Sequence, residues 1–185
     1  VTAEGNRRLT AVTGAVLLGL LAVECATAFR IYQFLPVHYF VGLLVVPPVL
    51  LKLGSTGYRF IRYYAGDPAY RKDGPPPASM RLLAPVIVIT TVLLLGSGIE
   101  LWLFGFRFGA FWLTIHEDSF LVWFFATGAH AFSRLDLTRA ELAGGQARPP
   151  GALTRRSLIT ASLVVGLLLA LVSLPWWSPF GLLES

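Results

Sequence analysis

One cysteine, Cys25, one methionine, Met80, and three histidines are the only sulfur and imidazole groups in this chain. A lone cysteine excludes an internal disulfide, a cysteine-based zinc site and a cysteine-ligated iron–sulfur cluster. Inside an apolar run it reads as a small packing residue. Charge is scarce as well: 14% of the 185 residues are charged, against about 25% in a soluble domain. There is no glycine-rich phosphate loop and no paired-acid hydrolase signature. The net charge of +5 does not point to nucleic acid, because the basic residues fall between apolar runs, where they report topology.

What the chain has instead is apolar length. Hydrophobic residues make up 55% of it and gather in blocks of 17 to 23, long enough to cross a hydrocarbon layer about 30 Å thick. Five spans are expected, at residues 9–29, 37–53, 82–104, 111–132 and 158–176. The predicted fold is all-α, an integral membrane bundle of five transmembrane helices. Residues 1–132 are read as a four-helix bundle, 133–156 as a cytoplasmic linker, and 157–185 as a fifth span with a short outer tail anchored by Trp176 and Trp177. Thirteen of the 15 Lys and Arg residues fall on one side of such a bundle, leaving Arg30 and Arg107 on the other. By the positive-inside rule the N-terminus is cytoplasmic and the C-terminus outside, in a bacterial cell membrane.

Three finer expectations concern packing. Ala11, Ala15, Gly19, Ala22 and Ala26 form a small-residue stripe suited to close helix approach. Pro47 and Pro48 predict a kink in the second span. The aromatic and basic stretch from Gly54 through Arg62, Asp67, Pro68 and Arg71 to Pro77 reads as a connection at the headgroup level.

The histidines carry the chemistry. His116 and His130 lie fourteen residues apart in the fourth span. Fourteen helical residues turn through about 1400°, returning to within about 40° of one face while rising about 21 Å. His38 and Lys52 repeat the spacing in the second span. The second and fourth spans run the same way, so His38 and His116 share an outer level and Lys52 and His130 an inner one. Haem iron takes two axial ligands, and a buried b-type haem needs one donor from each of two facing helices at one depth. His38 with His116 meets that need. At the inner level an amine ligates only when neutral, so Lys52 is either a ligand or a snorkelling interfacial charge. His130 is then a ligand with Lys52, a five-coordinate ligand or a hydrogen-bonding residue, with Met80 a weaker candidate partner. Glu24 and Glu100 are buried acids that pair with Arg30 and Arg107, or accept protons from a quinol oxidised near the outer level.

Paired fourteen-residue spacings on the second and fourth spans resemble the di-haem cytochromes b of bc-type complexes and the membrane subunits of formate dehydrogenases and hydrogenases. Those families use four histidines on inward-facing helices. His38, His116 and His130 match three positions, and Lys52 stands at the fourth. The resemblance spans about residues 9–132 and implies one or two b-type haems. It also implies a quinone as redox partner, other subunits of an oxidoreductase complex, and electron relay rather than stand-alone catalysis. The competing expectations are a non-redox membrane anchor or assembly subunit, and a small transporter built on the buried acids, for which no internal repeat is evident.

Overall fold

The computed structural model describes residues 2–72, 74–75, 77–143 and 151–173. Trp176, Trp177 and the segment 144–150 of the expected linker lie outside them. Among the described residues every regular element is a helix: α1 (Ala3–Ala28), α2 (Ile31–Tyr64), a single turn α3 (Pro68–Arg71), α4 (Ala78–Phe104), α5 (Phe111–Ala143) and α6 (Ala152–Ser173). Four of them, α1, α2, α4 and α6, are long and apolar enough to cross a membrane. The fourth expected span, α5, falls outside that group: His116, Glu117 and Asp118 sit in succession within its apolar half and lower its hydropathy.

The helices form two hairpins. α1 packs along α2, α4 packs along α5, and α6 lies along α2, while contact between the hairpins is sparse. A bundle in lipid is expected to be apolar outside, and Leu82, Ile89, Val92, Phe125 and Val172 are all largely exposed on its surface. The apolar core sits in the first hairpin. Val41, Val45 and Val49 recur every fourth residue on α2 and meet Leu17 of α1, with Leu20, Leu21, Phe40, Leu53 and Leu95 around them.

Hydrogen bonds lock both hairpins. Near the start of α1, Asn6 donates to the Ser55 carbonyl at 3.1 Å, and the Thr10 hydroxyl reaches the Ser55 hydroxyl at 3.1 Å. In the second hairpin the Trp123 indole N–H donates to the Thr91 hydroxyl at 3.0 Å. The face of α1 that packs therefore carries Asn6, Leu9, Thr10, Thr13, Leu17 and Thr27, all buried. The small-residue stripe points elsewhere: Ala22 and Ala26 are exposed, and nothing lies within 4 Å of where a Gly19 side chain would begin.

Helix α2 is two helical segments joined across a kink. Its one non-helical residue is Phe34 (φ −120°, ψ 18°), two positions before Pro36, and the backbone through Pro47 and Pro48 stays helical. A proline at position 48 cannot donate to the carbonyl four residues back, which is Leu44. That carbonyl meets α6 at Gly166, where a Cβ would collide with the Leu44 oxygen. The prolines thus prepare a docking point for α6, and the bare Gly166 backbone takes it up with a Cα–H contact.

The helix also runs on to Tyr64, so most of the expected connection is helical. Gly66 (φ 88°) then turns the chain in the left-handed region, and the Asp67 carboxylate accepts from the Ala69 N–H at 2.9 Å, capping α3 with Pro68 at its start. Arg62 pairs with Asp67 and lies 6.0 Å from the Tyr58 and Tyr70 rings, and Arg71 donates back to the Tyr63 carbonyl. The stretch is a cross-tied corner. At the other expected linker, α5 continues through Ala143 and α6 begins at Ala152.

Gly166→Leu should drive α6 off α2, costing about 1–3 kcal/mol through overpacking. Thermal unfolding in detergent checks this against Gly96→Ala, whose new methyl meets nothing within 4 Å and should leave the midpoint unchanged or slightly raised.

Candidate functional site

His38 stands on the second turn of α2 and His116 on the second turn of α5. They meet across the sparsely packed seam between the hairpins, with ring centroids 6.2 Å apart and planes at 87°. The outer pair expected from the spacing is therefore brought together.

Each ring is held through Nδ1. The Thr27 hydroxyl donates to the Glu24 carbonyl at 2.7 Å, so toward His38 Nδ1, 3.1 Å away, its oxygen accepts. The Glu24 carboxylate lies 3.3 Å from the same nitrogen. On α5, His116 Nδ1 is 3.1 Å from the Leu94 carbonyl, which can only accept. The Ser97 hydroxyl, 3.1 Å from that nitrogen, already donates to the Leu93 carbonyl at 2.6 Å. Both neutral rings thus carry their proton on Nδ1, which leaves the Nε2 lone pair outside these bonds. Histidines that bind metals are oriented in the same way, with the second nitrogen donating to a carbonyl or carboxylate.

Gly98 makes room for His116. A Cβ there would lie 3.1 Å from the ring's Cε1 and 3.4 Å from Nδ1. Thr27, Leu94, Ser97 and Gly98 are site residues that the histidine spacing does not reveal. The visible trace of Gly98 and Ser97 in the sequence is the Gly96-Ser97-Gly98 run inside an otherwise bulky apolar span.

The inner level is built differently. With α2 helical through its prolines, Lys52 falls fourteen residues below His38 and on the same α1-facing side. There its ammonium donates to the Thr10 carbonyl at 2.5 Å and lies against Gly14. His130 is partly buried, and its Nδ1 has no hydrogen-bond partner among the described residues. Lys52, Arg59 and Arg134 all lie near enough to His130 to act on it electrostatically, so the level is shared although Lys52 is tied to α1. Met80 takes a hydrogen bond on its sulfur from Ser133, at 3.5 Å, one turn beyond His130.

The buried acids do not pair as expected. Glu24 faces His38 rather than Arg30, with its second oxygen unpartnered, and neither Glu100 oxygen has a partner among the described residues. Arg107 lies over the Phe108 ring at 5.9 Å. Cys25 is a free, half-buried thiol. Among the described residues no three His, Cys, Asp or Glu side chains converge as a self-contained metal centre, and the two imidazoles lie edge to face. Comparison of the chain with protein-family models, curated proteins and solved structures finds no significant match.

Histidine-selective 15N NMR of the metal-free chain in detergent, at alkaline pH, should report Nδ1-protonated rings at both His38 and His116. Gly98→Val should disturb the His116 resonances and leave the Thr27–His38 contact intact. An Nε2-protonated ring at either position would contradict the donor assignment.

Proposed function

We propose that this protein is a membrane cytochrome b, an electron-relay subunit in which His38 and His116 are the axial ligands of a b-type haem. One observation carries the reading: two imidazoles from two hairpins, 6.2 Å apart, each with its Nδ1 proton committed to a fixed acceptor. Two neutral imidazoles whose Nε2 atoms stay outside these hydrogen bonds are a donor set that would suit a haem iron, and the sparse packing between hairpins is the kind of seam that would admit a flat group. A haem bound there supplies a one-electron couple, and two imidazole ligands leave no open position for oxygen.

The chain's own residues do the positioning. Leu94 and Thr27 fix ring orientation, and Gly98 leaves the His116 ring its place. Glu24, with one oxygen turned to His38 and one unpartnered, stands where a carboxylate could take up a proton released by a quinol at this level. His130 and Lys52 form a second, inner pair in this proposal. Lys52 reaches iron only by leaving the Thr10 carbonyl.

The same reading takes α5 as a fifth span. It is 33 residues long, and His116 meets His38 across the seam, while Glu117 and Asp118 are exposed. Five spans put the N-terminus and most basic residues on the cytoplasmic side of a bacterial inner membrane. Connections this short hold no catalytic domain, which favours a subunit working with a partner oxidoreductase and the quinone pool.

The test is a reduced-minus-oxidised visible spectrum of the purified chain, with haem quantified by the pyridine method. The expected result is at least one haem per chain, lost in His38→Ala and in His116→Ala. A content of two, halved by His130→Ala, would assign the inner pair. No haem under conditions that load other b-type cytochromes would sink the proposal and leave a membrane anchor.

A further inference from the structure

At the basic end of the bundle, away from the histidine pair, α1 and α6 part around a cavity of about 250 Å³. Its walls carry Arg8, Arg155 and Arg156 together with Leu9, Val12 and Ile159. Among the described residues no carboxylate lines it. Arg155 is buried, at 8% exposure, although it sits in the first turn of α6, and Leu9 on the opposite wall is buried at 5%. Three guanidinium groups border one space, where a single anion would meet all of them. The planar fork of arginine matches phosphate oxygens two at a time.

The cavity is also half apolar. Val12 lies one turn further along α1 than Arg8, and Ile159 one turn further along α6 than Arg155. From the arginines, then, an apolar track leads toward the middle of the bundle. Charge at one end and aliphatic side chains at the other fit a phospholipid, and basic pockets between transmembrane helices take anionic headgroups.

We propose that the cavity between α1 and α6 binds the phosphate headgroup of an anionic phospholipid, with its acyl chains lying along Val12 and Ile159. The bound lipid joins α6 to α1 at the end where their direct contact is small. The site requires only that this end of the bundle lie at a headgroup layer, so it stands or falls separately from the haem.

Native mass spectrometry of the full-length chain, delipidated in detergent and titrated with phosphatidylglycerol or phosphatidylcholine, tests it. The expected result is one saturable phosphatidylglycerol adduct and no comparable phosphatidylcholine adduct. Arg8→Gln, Arg155→Gln and Arg156→Gln should each weaken it about fivefold, and the triple variant about a hundredfold. Arg107→Gln, at the other end of the bundle, is the control and should bind as the parent does. Arg155 is buried, so the exposed Arg156→Gln keeps the test valid if the triple variant fails to fold. Equal binding of the two lipids, or unchanged binding in Arg156→Gln and Arg8→Gln, overturns the proposal. If inorganic phosphate displaces the lipid at equal concentration, the ligand is soluble phosphate and the lipid assignment fails. The haem content of the same samples should not change across the series.

Discussion

Inside a bilayer an imidazole N–H, a hydroxyl or an ammonium has no water to bond, and in this chain it turns to the carbonyl oxygens of helix backbones. A helical carbonyl keeps a second lone pair after its bond along the helix, so a bundle with few polar side chains still offers acceptors. His116 takes Leu94, Lys52 takes Thr10, Asn6 takes Ser55, Ser97 takes Leu93 and Thr90 takes Val86. The reverse case is Leu44. Pro48 removes that carbonyl's usual donor, and the freed oxygen is covered by Gly166 of α6. The pairing of buried polar groups with backbone carbonyls thus holds the hairpin seams and orients the outer histidines, while Glu100 and His130 Nδ1 stand outside it among the described residues.

The histidines gain a chemical property from that structural constraint. A neutral imidazole has one donor and one acceptor nitrogen, and whichever faces a carbonyl must be the donor. Tying Nδ1 to Leu94 on one side, and to Thr27 and Glu24 on the other, leaves Nε2 as the nitrogen able to bind a metal. Ring orientation and protonation are set before any ligand arrives. The thin packing between the hairpins completes the arrangement, since a seam filled with Leu and Val like that of α1 and α2 would hold the rings against other side chains.

The helical class and the meeting of His38 with His116 were legible in the sequence, because length and periodicity dominate both, whereas α2 and α5 run well past their expected ends. Fourteen residues return a helix to nearly one face whatever surrounds it, and two parallel spans carry equal offsets to equal depths. What escaped the sequence depends on contacts between spans. The stripe of Ala15, Gly19, Ala22 and Ala26 looked like a packing face, but hydrogen bonding selected the face with Asn6, Thr10 and Thr27. Pro47 and Pro48 pointed to a bend within α2, and the one residue of that helix with non-helical φ and ψ is Phe34, where two helical segments join across a kink. The Arg62–Asp67 corner looked like a connection at the headgroup level, and its order comes from an ion pair, an Asp cap and edge-on rings that spacing does not encode.

The two levels of the bundle differ in preorganisation more than in residue type. At the outer level two imidazoles lie edge to face, and each N–H has an acceptor in place. At the inner level His130 has no partner for Nδ1 among the described residues, Lys52 is already bonded to Thr10, and Arg59 and Arg134 add positive charge within electrostatic range. A ligand entering there must break the Lys52–Thr10 bond and order the His130 ring, costs that the outer site does not carry. The surrounding positive charge works the other way, because it favours any group that brings anionic substituents with it. In the proposed haem reading, occupancy of the inner level would depend on whether attraction between those cations and an anionic ligand outweighs the loss of one buried hydrogen bond, a cost that the outer level would not carry.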